Sequence, residues 1–456
     1  MTKPADRTVA LIVVTMAAFL APFMGSATNI ALPTIGKEFA LDAVTLGWIS
    51  TAYLLASAMS LVPFGRVADI FGRKRVFVSG AAVFGVASFL IGLAPSGAIL
   101  IALRVVQGLG GAMYFSTGVA ILTSVYPSNQ KGRVLGFNTA AVYTGLSVGP
   151  TVGGILTQHF GWRSIFFSVT PLALLVVVLT LWKLSGEWAE ARGDSFDVPG
   201  TLVYGASLLA IMYGFSSLPA LFGFVLLVGG LLGLVLFVVW EGKTPSPVLN
   251  VRIFRNNTVF AFSNLSALIN YSATSGTGFL LSLYLQQIKG VNPQTAGLIM
   301  VAQPVIQAVF SPLTGHLSDS VEPRILASAG MGLTALGLIC FAFITPQTPI
   351  AVVVLLLMLL GLGFGLFSSP NTNAVMSSVD KRFYGVASAT LSTMRNVGQT
   401  LSIGVVMLIF SLYIGHVAIA PENYPALMSS IKVAFSLFSV LCVVGIYFSL
   451  ARGKVR

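Results

Sequence analysis

The sequence predicts an all-α integral membrane protein of fourteen transmembrane helices, and three observations carry that prediction. Of 456 residues, 56% are hydrophobic and 8% charged, against about 25% charged in a soluble domain. A membrane helix needs about 20 apolar residues, and the chain supplies fourteen such stretches, near 8-31, 46-65, 76-94, 98-124, 134-157, 164-183, 198-217, 219-241, 258-287, 294-318, 325-345, 350-378, 385-417 and 427-451. With the amino terminus inside, 19 of the 25 Lys and Arg fall in cytoplasmic segments, three in external loops (Lys37, Arg163, Lys289) and three within spans (Arg104, Arg395, Lys432). That bias predicts a multi-pass protein with both termini cytoplasmic.

The same composition excludes other classes. Alternating strands and helices with polar connections, which a soluble α/β enzyme would need, are not visible. The formal charge of +12 is spread over short loops with no cluster to line a groove, so the expected partner is an anionic leaflet of the lipid bilayer and not a nucleic acid. Cys340 and Cys442 both lie in apolar spans, which leaves no disulfide framework and no metal-ligand spacing. No phosphate-binding loop ending in Lys-Ser or Lys-Thr is present, so nothing supports ATP-driven transport. The start, MTKPADRTVALIVV, lacks a small-residue cleavage site, and the first span reads as retained. No cofactor is expected.

The segment GRVADIFGRKR (Gly65 to Arg75) joins the second and third spans. Gly65 and Gly72 permit a tight turn, Asp69 caps the third span or pairs with a cation, and Arg73, Lys74 and Arg75 obey the positive-inside rule. The fourth span carries ALRVVQGLGGA (Ala102 to Ala112), and the fifth carries GLSVGPTVGG (Gly145 to Gly154), with GWRSIFF following and NIALPTIG closing the first span. Gly145, Gly149, Pro150, Gly153 and Gly154 put a flat, kinkable face on one helix, which a neighbour can approach closely. Such a face is common packing in membrane proteins, or a gate between moving halves.

Taken together these motifs resemble those of the major facilitator superfamily, and the fourteen spans are most similar to its drug:proton antiporter branch. The resemblance covers nearly the whole chain. It implies a secondary transporter of the cell membrane, a monomer, coupled to a proton or sodium ion and exporting drug-like compounds by alternating access around a central small-molecule substrate site. It also implies two six-helix bundles. Gly65 and Asp69 recur as Gly315 and Asp319, and Gly136, Ala140, Thr144 and Gly149 recur as Gly385, Ala389, Thr393 and Gly398. Their offset, near 250 residues, exceeds a six-helix unit by the seventh and eighth spans. The expected order is therefore a bundle over 1-184, a linker and two inserted helices over 185-257, and a second bundle over 258-456. Within the linker, GEWAEARGDSFDVPG is the one long acidic stretch.

By the same analogy the first, fourth, ninth and twelfth spans line the centre. They carry Asn29, Arg104, Asn264, Asn270, Tyr271, Asn371 and Asn373, with Gln303, Gln307, Arg395 and Gln399 on neighbouring spans. Arg104 and Arg395 should face a wet cavity or find partners, because a cation at the bilayer centre costs several kcal/mol. Each contacts substrate, or bonds backbone carbonyls and neighbours such as Gln107, Asn396 and Gln399. Gly65, Asp69, Arg73 and the fifth-span Gly145, Gly149, Pro150, Gly153 and Gly154 are the expected gating residues. The chain departs from its relatives at Met24, where many fourteen-helix antiporters carry an acid. All 13 Asp and Glu, Asp197 and Glu241 among them, fall in loops or at helix ends, and His316 at the end of the tenth span is the one neutral-range titrating group to consider for coupling. Amides without mid-membrane carboxylates suit neutral, amphipathic or anionic solutes. An anionic metabolite or lipid-like molecule is thus an alternative cargo, and a transport-inactive sensor or scaffold an alternative role.

Overall fold

The computed structural model describes residues 4-127, 130-249, 251-318, 320-380 and 384-453. Helices make up nearly all of it. The first bundle comprises α1 (Pro4–Glu38), α2 (Ala43–Phe71), α3 (Arg73–Gly92), α4 (Gly97–Val125), α5 (Lys131–Phe160) and α6 (Arg163–Lys183). Two further helices, α7 (Val198–Ser217) and α8 (Leu221–Glu241), precede a short α9 (Arg252–Asn256). The remainder holds α10 (Thr258–Thr274), α11 (Gly276–Leu283), α12 (Pro293–Met300), α13 (Ala302–Leu317), α14 (Pro323–Ala342), α15 (Ile350–Ser377), α16 (Tyr384–Tyr413) and α17 (Tyr424–Ala451).

Among the described residues, twelve helices are long and apolar enough to cross a membrane, with α12 and α13 counted as one. The other two expected spans are helical but less apolar. The stretch 134-157 lies in α5, whose 30 residues include many glycines and hydroxyls. The stretch 258-287 is divided between α10 and α11, parted at Ser275, and ends in one π-turn over Tyr284–Ile288. Ser-Gly-Thr-Gly at 275-278 supplies the weak point, and the Gly276 amide donates to Ser402 Oγ at 2.8 Å. A similar break at Val301 sits three residues before Pro304, whose ring removes one ladder donor.

Helices α1 to α6, taken as the first bundle, and α10 to α17, taken as the second, touch at several places. At the end of the molecule carrying the α1–α2 turn, Ser282 Oγ donates to the Asn29 carbonyl at 2.6 Å and Gln286 Nε2 to the Ile30 carbonyl at 2.9 Å. The Ala43 amide donates to the Val417 carbonyl at 3.1 Å. Nearer mid-depth, Asn396 Nδ2 donates to Ser57 Oγ at 3.2 Å, joining α16 to α2. The inserted pair covers this seam from outside. Tyr204 of α7 donates to the Ala58 carbonyl of α2 at 3.1 Å, while Ser411 of α16 donates to the Leu218 carbonyl at 2.6 Å and Met212 packs against Gly404.

Candidate functional site

Arg104 lies inside the first bundle and only 1% exposed. Its Nε donates to the Ile49 carbonyl of α2 at 3.0 Å, its Nη1 to Gln107 Oε1 at 2.5 Å, and its guanidinium stacks 4.6 Å from the centre of the Tyr53 ring. Gln107 Nε2 in turn donates to Ser88 Oγ at 2.7 Å, which reaches α3. This chain of neutral acceptors and one aromatic face accommodates the cation without a carboxylate. Of the two roles the sequence left open for Arg104, the geometry displays the helix-binding one.

Arg395 sits differently. It is part-exposed near the middle of α16, its guanidinium 5.3 Å from the Phe115 ring of α4 in the opposite bundle. The Tyr271 hydroxyl of α10 faces both Arg395 and Ser368 of α15. Tyr143 of α5 shares a 2.9 Å hydrogen bond with the same Ser368. Five residues from five helices and both bundles thus converge at mid-depth. Among the described residues no carboxylate lies within 4.0 Å of Arg395.

Close helix approach builds this cluster. At Gly398 an added Cβ would sit 2.6 Å from the Leu268 carbonyl and 3.0 Å from Tyr271 Cβ, so α16 lies directly on α10 and sets Tyr271 beside Arg395. Gly149, its partner in the sequence repeat, performs the same service in the first bundle, where it meets Ser26 Oγ and the Phe23 carbonyl of α1.

That packing divides the glycine face of α5. Gly145 and Gly153 also lie against α1, at the Phe19 carbonyl and Ala27 Cα, inside one bundle. Gly154 points the other way, and a Cβ there would be 2.5 Å from the Pro293 carbonyl at the start of α12. The Pro150 carbonyl lies against Gly297 of α12. Of the five expected gate residues, Pro150 and Gly154 therefore stand at the seam between bundles, and the other three hold α1.

The remaining expected cavity residues are dispersed. Asn29 accepts from Ser50 at 3.3 Å beside Gly278. Asn264, Asn270 and Asn371 are buried. Asn264 donates to the Phe260 carbonyl and Asn371 to the Ser263 carbonyl, whereas neither end of the Asn270 amide has a hydrogen-bond partner. Asn373 donates to Ser318 Oγ at 2.8 Å near the end of α13. Gln307 is buried on α13, Gln303 and Gln399 are part-exposed, and His316 is exposed. Sequence reasoning missed Tyr143, Ser368 and Phe115, and it missed Arg452. That residue, just past α17, is fully buried and donates to Asn371 Oδ1 at 2.9 Å and Ser263 Oγ at 3.3 Å.

The expected turn is confined to Gly72, because Gly65 lies inside α2 and Arg73 already opens α3, and the acidic linker clamps this corner. Asp69 does not cap α3; its Oδ1 accepts from Arg73 at 2.7 and 2.8 Å. Arg73 also donates to Ser124 Oγ at 2.6 Å and to both oxygens of Glu190, at 2.8 and 3.0 Å. Gly72, at φ +123°, turns the chain so that Glu187 can accept from the Lys74 amide at 2.8 Å and that of Arg75 at 3.3 Å. Arg66 pairs with Asp194 at 2.8 Å. Gly65 passes 3.9 Å from Ser116 Cβ. Asp319, the repeat partner of Asp69, lies outside the described residues.

Comparison with known proteins agrees with this architecture. The chain is 29% identical over 399 residues to the riboflavin transporter RibZ of Clostridioides difficile, covering 87% of this chain and 86% of that protein. It is 32% identical over 386 residues to the multidrug resistance protein Stp of Mycobacterium tuberculosis, covering 83% and 71%. Its fold matches, at a TM-score of 0.70 and 15% identity, the crystal structure of a bacterial homolog of the human lysosomal transporter Spinster, covering 99% of this chain and 98% of that one. The family model described as Major Facilitator Superfamily matches residues 14–403 and 263–454, so the chain is a multi-pass transport protein and belongs to the major facilitator superfamily.

Proposed function

We propose that the protein is a secondary transporter of the plasma membrane that exports amphipathic, drug-like compounds by alternating access. The single observation that carries this reading is the mid-depth cluster of Tyr143, Ser368, Tyr271, Phe115 and Arg395, in which the two bundles touch one another through side chains that also suit a solute. Two tyrosyl hydroxyls, aromatic faces and one guanidinium can stack and hydrogen-bond a planar amphiphile. Movement of one bundle against the other would break these contacts and remake them around a different opening. Pro150 and Gly154 against α12 form the gate at the α1–α2 end in this reading, and the Asp69–Arg73 loop stiffens the other end. The twelve apolar helices together with α5 and the α10–α11 pair make fourteen spans, ordered six, two, six, in the drug:proton antiporter branch, with both termini cytoplasmic. Relatives such as Stp support drug-like cargo.

A second cargo class has an observation of its own. Arg395 without a carboxylate nearby favours an anionic metabolite over a permanent cation. Reconstituted efflux under imposed pH and sodium gradients, with neutral, anionic and quaternary-ammonium amphiphiles compared, separates the two and identifies the coupling ion. Neutral amphiphiles should be carried, and Tyr143→Phe should slow them by disconnecting α5 from Ser368. Flux of anions alone would favour the second class. Fluxes indifferent to both Tyr143→Phe and Arg395→Gln would sink the assignment of the site.

A further inference from the structure

The base of the inserted pair holds two carboxyl groups buried against each other. Asp197 caps α7, its Oδ1 accepting from the Gly200 amide at 3.0 Å, and Trp240 Nε1 donates to its two oxygens at 3.2 and 3.0 Å. Glu241 ends α8 at 1% exposure, and its Oε2 accepts from the Leu249 amide at 2.9 Å. The other oxygen, Oε1, has no donor. It lies beside the Asp197 carboxyl. Gly200 makes the room: a Cβ at that position would lie 2.7 Å from Glu241 Oε1 and would also collide with Asp197 Oδ2.

Two ionised carboxylates in such a site repel one another, and an acceptor buried without a donor costs about 1–3 kcal/mol. One proton between them removes both penalties. No group of three or more His, Cys, Asp and Glu that could hold a metal ion occurs among the described residues. Among the described residues, no compensating cation is paired with the two carboxyls. Lys243 is exposed, Arg66 is engaged by Asp194, and the faces that α2 and α16 turn toward α7 are apolar, with Leu55, Ala58, Val397 and Leu401.

We propose that Asp197 and Glu241 form a proton-binding site in which the pair shares one proton at neutral pH and so fastens the base of α7 to α8 and to the 242-249 connection. This goes beyond the transport reading and does not depend on it. The protonated pair belongs to the folded state, whereas the unfolded carboxyls ionise as ordinary ones. Stability contributed by the site is thus complete only below the ordinary carboxyl range, and it falls as pH rises from there until the shared proton is gone. Because α7 covers the α2–α16 seam, the proton would also report on a contact shared by both bundles.

The test uses purified full-length protein in detergent. Infrared spectra at neutral pH should contain the C=O stretch of a protonated carboxylic acid, absent from Glu241→Gln. The thermal midpoint of the unaltered protein should fall by several degrees between about pH 5 and about pH 8. Glu241→Gln, which carries a permanent donor, should flatten that dependence, and so should Asp197→Asn. No protonated carboxyl band in the unaltered protein, or a midpoint that follows sodium concentration and ignores pH, overturns the proposal. Should neither variant purify, the band in the unaltered protein decides alone.

Discussion

Arg104 and Arg395 are both cations within apolar spans, the first toward one end of α4 and the second near the middle of α16, yet the structure treats them in opposite ways. Arg104 is sealed among Ile49, Gln107 and Tyr53 within one bundle. Arg395 lies where the two bundles meet, near the Phe115 ring and the Tyr271 side chain. A buried charge is affordable in either place, but for different reasons. The first is held by fixed neutral acceptors that join helices; the second is part-exposed and, in the proposed reading, is left for a ligand.

The largest effect should come from breaking the sealed member. Arg104→Met removes the donor to Gln107 and to the Ile49 carbonyl and should destabilise the first bundle by roughly 2–3 kcal/mol. Thermal unfolding in detergent reads this directly, with substrate selectivity unchanged in whatever protein survives. A well-folded Arg104→Met protein with altered selectivity would erase the distinction drawn between the two residues.

Arg395→Gln should do the reverse, leaving the thermal midpoint nearly unmoved and changing what binds. At an effective dielectric near 20, two unit charges about 8 Å apart interact by roughly 2 kcal/mol, so removing the guanidinium should tighten binding of a permanent cationic dye more than tenfold. Tight dye binding indifferent to this substitution would show that Arg395 lies off the substrate path.

Arg73 sharpens the comparison as a third kind of buried cation, one fully salt-bridged. Its partner Glu190 is 68% exposed, so Glu190→Gln should cost at most about 1 kcal/mol. Asp69 should still hold Arg73 in that variant. A larger loss in the thermal midpoint would mean that the linker clamp, and not Asp69, sets the position of the α2–α3 loop.

What was legible in the sequence follows from this contrast. Twelve of the span positions, the turn at Gly72 and the close approaches at Gly149 and its repeat Gly398 could be read because length, turn chemistry and close backbone approach each demand particular residue types, whereas Gly65, expected in the turn, lies inside α2. Tyr143, Ser368 and Phe115 could not, since Tyr, Ser and Phe are ordinary on membrane helices and gain meaning only when a partner helix is known. Arg452 looked like one more cytoplasmic cation, because charge counting sees a residue past the last span and not the pocket between Ser263 and Asn371 into which it folds. Glu187 and Glu190 were legible as an acidic linker, but their partners lie more than a hundred residues earlier. The five glycine and proline positions of α5 read as one face, although helical geometry distributes them over two neighbours.

The inserted pair changes the symmetry of the molecule. Two equivalent bundles would present two equivalent flanks to the lipid, where each bundle borders the other. With α7 laid across α2 and α16, one flank is walled by a further helix, whereas among the described residues α5 meets α12 without such a cover. A hydrophobic molecule dissolved in the bilayer therefore encounters a one-sided object, with the α5–α12 border between the bundles left unscreened.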